Sequence, residues 1–133
     1  MGSRMRVSVV LLLVMAVYLA ASAVGADQPK SLVGSAAPRI SGTAIDGSRV
    51  DVPAAGRVTV VAFWNSTYRL SLDALQGIAR IFAAYGSSGL VCVGINASGE
   101  SSNSISAVAR GLVVTYPLIG GSTGSNAAAS YRL

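Results

Sequence analysis

The stretch VTVVAFWNSTYRLSLDALQGIARIFAAYG, running from Val58 to Gly86, decides how the rest of the chain is read. Its first part, Val58 to Trp64, is a continuous β-branched and aromatic run, the pattern of a strand covered on both faces. A polar turn, Asn65 to Thr67, follows. Leu72, Leu75, Ile78, Ala79, Phe82 and Tyr85 then recur at steps of three and four residues, which places them on one face of a helix. A buried strand that passes at once into a helix opens a βαβ unit and predicts an α/β fold. In such folds chemistry sits where the strand ends and the helix begins. Here that junction reads Trp64, Asn65, Ser66, Thr67, Tyr68, Arg69, Leu70, Ser71, with no Cys, His or carboxylate.

The chain has 133 residues, of which 52% are hydrophobic and 11% charged, and no His. Much of that apolar excess is N-terminal. Arg4 and Arg6 precede an apolar core from Val9 to Ala21, and Val24-Gly25-Ala26 supplies small residues suited to cleavage, so residues 1–26 read as a signal peptide and the protein as exported. The competing reading is an uncleaved membrane anchor, but a spanning helix needs about 20 apolar residues and this core is shorter. The cleavage region has no Cys, which argues against a lipid anchor of the kind that needs one. Residues 27–35 form a polar, flexible lead, and residues 36–133 a single domain.

The 107 residues after position 26 carry Lys30 and seven Arg against five carboxylates, a net charge of +3. These cations are scattered without aromatic partners, so nucleic acid is not an expected ligand and membrane contact is expected only through the signal segment. Export implies an oxidising compartment, yet Cys92 has no second Cys to pair with. Its surroundings, Leu90 to Ile95, read as a buried strand and make it a core residue rather than a reactive thiol. Without His and with one Cys, no metal-ligand set or cofactor motif is formed.

Along the domain, Ile40 to Ile45 and Ser48 to Val52 flank Asp46-Gly47, which predicts a tight N-terminal hairpin. Gly86 is expected to end the organising helix in the left-handed conformation. Leu90 to Asn96 predicts a second strand parallel to the first. A Ser-rich loop leads to a short helix over Ser104 to Arg110. Val113 to Ile119, interrupted by Pro117, predicts an edge strand. Gly120 to Ser125 reads as a turn and Asn126 to Leu133 as a helix. Asn65-Ser66-Thr67 and Asn96-Ala97-Ser98 match the glycosylation pattern, a common chance match in a Ser-rich chain. Asp73 and Glu100 read as solitary carboxylates.

The ordered set of Gly34-x-x-Ala37-Pro38, Asp46-Gly47, Phe63-Trp64, Tyr85-Gly86-x-x-Gly89-Leu90, Val91-Cys92-Val93-Gly94-Ile95-Asn96, Tyr116-Pro117-Leu118 and Tyr131-Arg132-Leu133 resembles the exported thioredoxin-like proteins. These are the TlpA-type thiol-disulfide oxidoreductases, allied to the alkyl hydroperoxide reductase and thiol-specific antioxidant (redoxin) family. The resemblance covers residues 33–133. It implies a thioredoxin-like fold with an N-terminal β-hairpin, incomplete at the C-terminus, where the family's cis-proline strand and closing helix would follow Leu133. The family's chemistry needs W-x-x-x-C-x-x-C at the strand-to-helix junction, with the first thiolate stabilised by the helix N-terminus and the second Cys resolving the mixed disulfide. Aligned on Trp64, those two positions are Tyr68 and Ser71. A peroxidatic Cys three residues after a Thr is also missing, because Leu70 stands there.

The resemblance therefore implies a degenerate site. One reading is an exported thioredoxin-fold protein without redox catalysis that binds a protein or peptide, with Trp64 and Tyr68 as an aromatic lip. The other is a one-thiol redox or antioxidant protein acting through Cys92. The apolar run from Val58 to Trp64, uncharged between Arg57 and Arg69, is further expected to be an open sheet edge that leaves the chain self-associating or partly unfolded. One face of the sheet is expected to lack cover.

Overall fold

The computed structural model describes residues 31–133. The expected signal segment, and the lead as far as Lys30, lie outside these residues. Of the remaining lead, Leu32 to Ser35 form a turn closed by the Ser35 amide donating to the Leu32 carbonyl at 3.0 Å. Residues 32–133 make one compact unit.

The hairpin forms as expected, from β1 (Ile40–Thr43) and β2 (Arg49–Val52), antiparallel with Ile40 opposite Val52 and Thr43 opposite Arg49. Its turn is wider than the two-residue type that Asp46-Gly47 suggested. The Asp46 carboxylate accepts from both the amide and the hydroxyl of Ser48, at 2.9 and 2.6 Å, and holds an Asx-type turn in place. The hairpin's outer face carries an exposed bidentate pair between Arg39 and Asp51, which solvent screens. Its inner residues, Ile40, Val50 and Val52, are buried.

The organising stretch gives β3 (Thr59–Trp64) and α1 (Arg69–Tyr85). A three-residue 3-10 turn, Gly86–Ser88, follows. Gly86 stays right-handed at φ −60°, and the left-handed position falls on Gly89 at φ 100°. The extra turn moves the chain reversal three residues on, and there a side chain would strain the backbone. Next come β4 (Val91–Asn96), parallel to β3 with Thr59 opposite Val91 and Trp64 opposite Asn96, and α2 (Ser102–Gly111), capped by the Ser101 hydroxyl accepting from the Ser104 amide. The strand expected over Val113 to Ile119 shrinks to β5 (Leu118–Ile119), parallel to β4. Pro117 donates no hydrogen bond, and its carbonyl instead accepts from the Gly94 amide at 2.9 Å.

The segment read as a glycine-serine turn is helical: α3 runs from Gly121 to Ser130. Propensity argues against this, but packing requires small residues here. A Cβ on Gly124 would overlap the Asn96 carbonyl, so only glycine lets α3 lie this close to the end of β4.

The three-stranded sheet, in the order β3-β4-β5, separates two apolar clusters. On one face α1 and α2 bring Leu75, Ala79 and Ile105 onto Trp64, Cys92 and Leu118. On the other, the hairpin and α3 bring Ile40, Val50, Val52 and Ala127 onto Val93, Ile95 and Ile119. The expectation of an uncovered face is overturned, because the helix hidden in the glycine-serine segment and the hairpin both pack there. Tyr131 fixes the arrangement: its ring lies 5.1 Å from Phe63 and its hydroxyl donates to the Pro38 carbonyl at 2.9 Å. Full burial of residues such as Leu75, Ile95 and Ile105 contributes about 1.5–3 kcal/mol each. Tyr85, expected on the buried face of α1, is exposed instead.

Candidate functional site

The C-terminal ends of β3 and β4 and the start of α1 meet at one end of the sheet. Trp64 ends β3 with its side chain turned into the α1 face, only 2% exposed, packed with Leu75, Cys92 and Leu118. Its indole Nε1 is buried without a partner among the described residues. Buried in this way, Trp64 does not form the expected aromatic lip. Tyr68 does reach solvent, at 59% exposure. The structure thus places the two proposed binding aromatics in different environments.

Tyr68 is the N-cap of α1, with extended backbone at φ −106° and ψ 101° and no side-chain cap, and the first turn contains no acidic residue. The Tyr68 carbonyl accepts from the Ser71 amide at 3.0 Å, the Leu72 amide at 3.3 Å and the Ser71 hydroxyl at 2.7 Å. Ser71 also accepts from the Asn65 amide at 3.4 Å. Ser71 therefore ties the turn to the helix and is not a free nucleophile. The amides of Arg69 and Leu70 make no hydrogen bond among the described residues, so the positive end of the helix faces outward uncompensated. In a thiol-dependent enzyme that end stabilises a thiolate. Here it stands beside a phenol and a hydroxyl.

Glu100, read from sequence as solitary, is the centre of a polar network next to this junction. Its carboxylate accepts from the Ser66 hydroxyl, from the Ser66 amide at 3.2 Å and from the Asn96 amide nitrogen Nδ2. The Glu100 amide donates back to Asn96 Oδ1 at 3.0 Å. Desolvation pushes the Glu100 carboxyl up, but the hydrogen bonds from Ser66 and Asn96 outweigh it and hold the group below its ordinary value. Asn96 is fully buried, so its glycosylation motif cannot be used in the folded chain. Sequence reading missed this network because Ser66 and Glu100 are separated by 34 positions, and only the parallel pairing of β3 with β4 brings them together. The local signal that existed is Asn96 at a strand end with Glu100 four residues on.

Cys92 is the second residue of β4, 1% exposed, and burial raises its thiol pKa. Its neighbour Tyr116 is also buried, donates to the Leu75 carbonyl at 2.8 Å, and has its phenol pushed well up by desolvation. Neither group is poised to ionise. No cluster of three or more His, Cys, Asp or Glu side chains that could hold a metal occurs among the described residues. No helix among them is long and apolar enough to cross a membrane.

Comparison with solved structures gives the fold a name. The chain is similar to StoA from Bacillus subtilis, with a TM-score of 0.61 and 19% identity over 74% of each chain. It is similar to a thiol-disulfide oxidoreductase from Bacteroides fragilis, with a TM-score of 0.62 and 18% identity over 74% of this chain and 76% of that one. The thioredoxin domain of a thiol-disulfide oxidoreductase from Bacteroides vulgatus matches with a TM-score of 0.64 and 16% identity over 75% and 73%. No protein-family model and no curated protein sequence matches the chain. The chain has a thioredoxin-like fold, an α/β architecture with a parallel sheet and an N-terminal antiparallel hairpin.

Proposed function

We infer that this protein is exported and uses its thioredoxin-like scaffold for binding rather than for thiol-disulfide exchange. The observation that carries the reading is the junction itself. Tyr68 caps α1 and Ser71 bonds within its first turn, at the two positions where the resembling oxidoreductases carry cysteines. A phenol and a hydroxyl have no route to a mixed disulfide. The chain's one thiol, Cys92, is buried away from that end of the helix, which weighs against the one-thiol alternative because a reactive Cys needs exposure and a lowered pKa. Exposed Tyr68 and Leu70, next to the unpaired first amides of α1, are the surface such a module offers a polypeptide. Export rests on Arg4, Arg6, the apolar core from Val9 to Ala21 and the small residues before Asp27.

The test is an insulin-disulfide reduction and peroxide-consumption assay on the purified protein, with native thiol labelling alongside. The expected result is no turnover and labelling of Cys92 only after unfolding. Turnover that disappears in Cys92→Ser would overturn the reading. N-terminal sequencing of secreted material is expected to begin at Asp27.

A further inference from the structure

Three loops gather at the end of the sheet where β3, β4 and β5 finish, and Glu100, in the middle loop, bonds to both of the others. Its main chain is pinned on one side. The Glu100 carbonyl accepts from the Gly121 amide at 2.8 Å, at the start of α3, and the Glu100 amide donates to Asn96 Oδ1 at 3.0 Å. A Cβ on Gly120 would lie 2.6 Å from that carbonyl oxygen, so the β5-α3 loop is pressed directly against it. The side chain reaches the other way. Its Oε2 accepts from the Ser66 amide and from Asn96 Nδ2, and its Oε1 accepts from the Ser66 hydroxyl. Ser66 makes no further hydrogen bond among the described residues.

The donors facing this carboxylate decide where a proton can go. The Ser66 amide can only donate, and Asn96 has its Oδ1 committed to the Glu100 amide, so its Nδ2 must donate as well. Both are aimed at Oε2. A proton is therefore taken up on Oε1, where the Ser66 hydroxyl has to turn from donor to acceptor. The two bonds left on Oε2 then end on a neutral carbonyl, whereas bonds to an ionised acceptor are roughly twice as strong. Protonation thus reverses one of the three bonds and weakens the other two. The titratable or charged groups on the elements around Glu100 are Tyr68, Arg69 and Asp73 at the start of α1, Cys92 on β4, Arg110 in the last turn of α2 and Tyr131 at the end of α3. None of them contributes to the position of the Glu100 carboxyl, which burial raises and the bonds from Ser66 and Asn96 lower.

We propose that Glu100 is an acid-sensitive latch on the β3-α1 turn: ionised, it clasps Ser66 and holds the turn against the β4-α2 and β5-α3 loops, and protonated, it releases Ser66 and lets the turn move. The fixed part is the Glu100 main chain, whose bonds to Gly121 and Asn96 do not depend on the charge. The moving part is the segment from Asn65 to Thr67, whose other side-chain ties are local, from the Thr67 hydroxyl to Asn65 Oδ1 and from the Ser71 hydroxyl to the Asn65 carbonyl. Tyr68 follows that segment directly, so its placement is set at neutral pH and loosened in acid. As regulation of binding the latch rests on the function proposed above, but it is read without any ligand, so either can fail without the other.

Amide proton NMR on the full chain, from neutral pH down to about pH 3, tests it. The expected result is a titration of the Ser66 amide shift with a midpoint below the ordinary carboxyl value of 4.5. Its exchange protection is expected to fall about tenfold in the same step, while the amides of Val93 and Ile95 stay protected. Glu100→Gln is expected to abolish the titration and leave the residue 66 amide at its loosened level at every pH. Ser66→Ala keeps that amide as a reporter but removes the hydroxyl, whose bond lowers the Glu100 pKa more than any other, and is expected to move the midpoint up toward 4.5. A Ser66 amide that does not titrate, a titration unchanged in Glu100→Gln, or a midpoint unmoved in Ser66→Ala would overturn the proposal. Loss of protection at Val93 and Ile95 in the same step would also overturn it, because the transition would then be unfolding of the whole domain.

Discussion

The turn from Asn65 to Ser71 and the turn from Asn96 to Glu100 lie side by side at the same end of the sheet, and they are built in opposite ways. The first occupies the position at which thioredoxin-like enzymes act, yet its most prominent side chain, Tyr68, is exposed and makes no hydrogen bond among the described residues. The second was expected to be an ordinary loop, yet Asn96 is completely buried and Glu100 is bonded to three donors. The difference separates two tasks that are easily merged when a site is read as a motif. Shape at the junction is set from below by Trp64 and Leu75 and from the side by Glu100. Of Tyr68 and Ser71, Ser71 ties the turn to the helix, whereas the Tyr68 side chain contributes little to holding it. A phenol at Tyr68 and a hydroxyl at Ser71 are therefore compatible with an intact fold.

Breaking the shared foundation should have the largest effect. Leu75 is fully buried under the first turns of α1, between Trp64 and Leu118, and its carbonyl is the acceptor for the Tyr116 hydroxyl. Leu75→Ala leaves a cavity in a close-packed cluster and is expected to cost about 2–5 kcal/mol. Urea unfolding followed by circular dichroism measures it. A loss below 1 kcal/mol would show that the junction does not rest on this residue.

Removing the lateral support should cost less. Glu100→Ala leaves the Ser66 amide and the buried Asn96 side chain without their acceptor, an expected loss of about 1–3 kcal/mol. The pH dependence gives a sharper signature. Because the folded Glu100 carboxyl titrates below its ordinary value of 4.5, the folded state binds fewer protons than the unfolded chain. Its stabilisation is fully present above pH 4.5 and is lost as pH falls through the lower folded pKa. Glu100→Gln should remove that step from the acid limb of the stability curve. An unchanged acid limb would mean that the network is not formed in solution.

The same contrast explains what could be read from the sequence. The β3-α1 unit was legible because burial there follows a local period: Leu72, Leu75, Ile78, Ala79 and Phe82 all enter the expected cluster. Tyr85 satisfies the same spacing but is exposed, lining a groove with Ile81, Arg57 and Val58, so periodicity alone misplaced it. α3 was illegible because Gly120 to Ser125 has the composition of a turn, and its helicity is imposed by close approach to β4. The Glu100 network was illegible for a similar reason, since its partners become neighbours only through strand pairing. Tyr68 and Ser71 were located by pattern, but the burial that removes Trp64 from the surface was not. Each failure falls where a long-range contact overrides a local preference.

The smallest expected effect is at Tyr68, and it tests the other half of the comparison. Its carbonyl anchors the first turn of α1, but that bond belongs to the backbone and survives any side chain. The ring is exposed and caps nothing. Tyr68→Ala should therefore leave stability within about 0.5 kcal/mol of the parent. Tyr68→Ser should raise it by roughly 0.5–1 kcal/mol, because a hydroxyl at an N-cap with extended backbone can accept from an amide in the first turn that now has no partner. Equilibrium unfolding of both variants, with an unchanged denaturant slope, decides the matter. If Ser stabilises and Ala is neutral, the tyrosine ring occupies the helix end at the expense of a cap and is free to meet another molecule. A loss above 1 kcal/mol on Tyr68→Ala would instead make the ring a packing residue, and the binding surface proposed for this end of the sheet would have to exclude it.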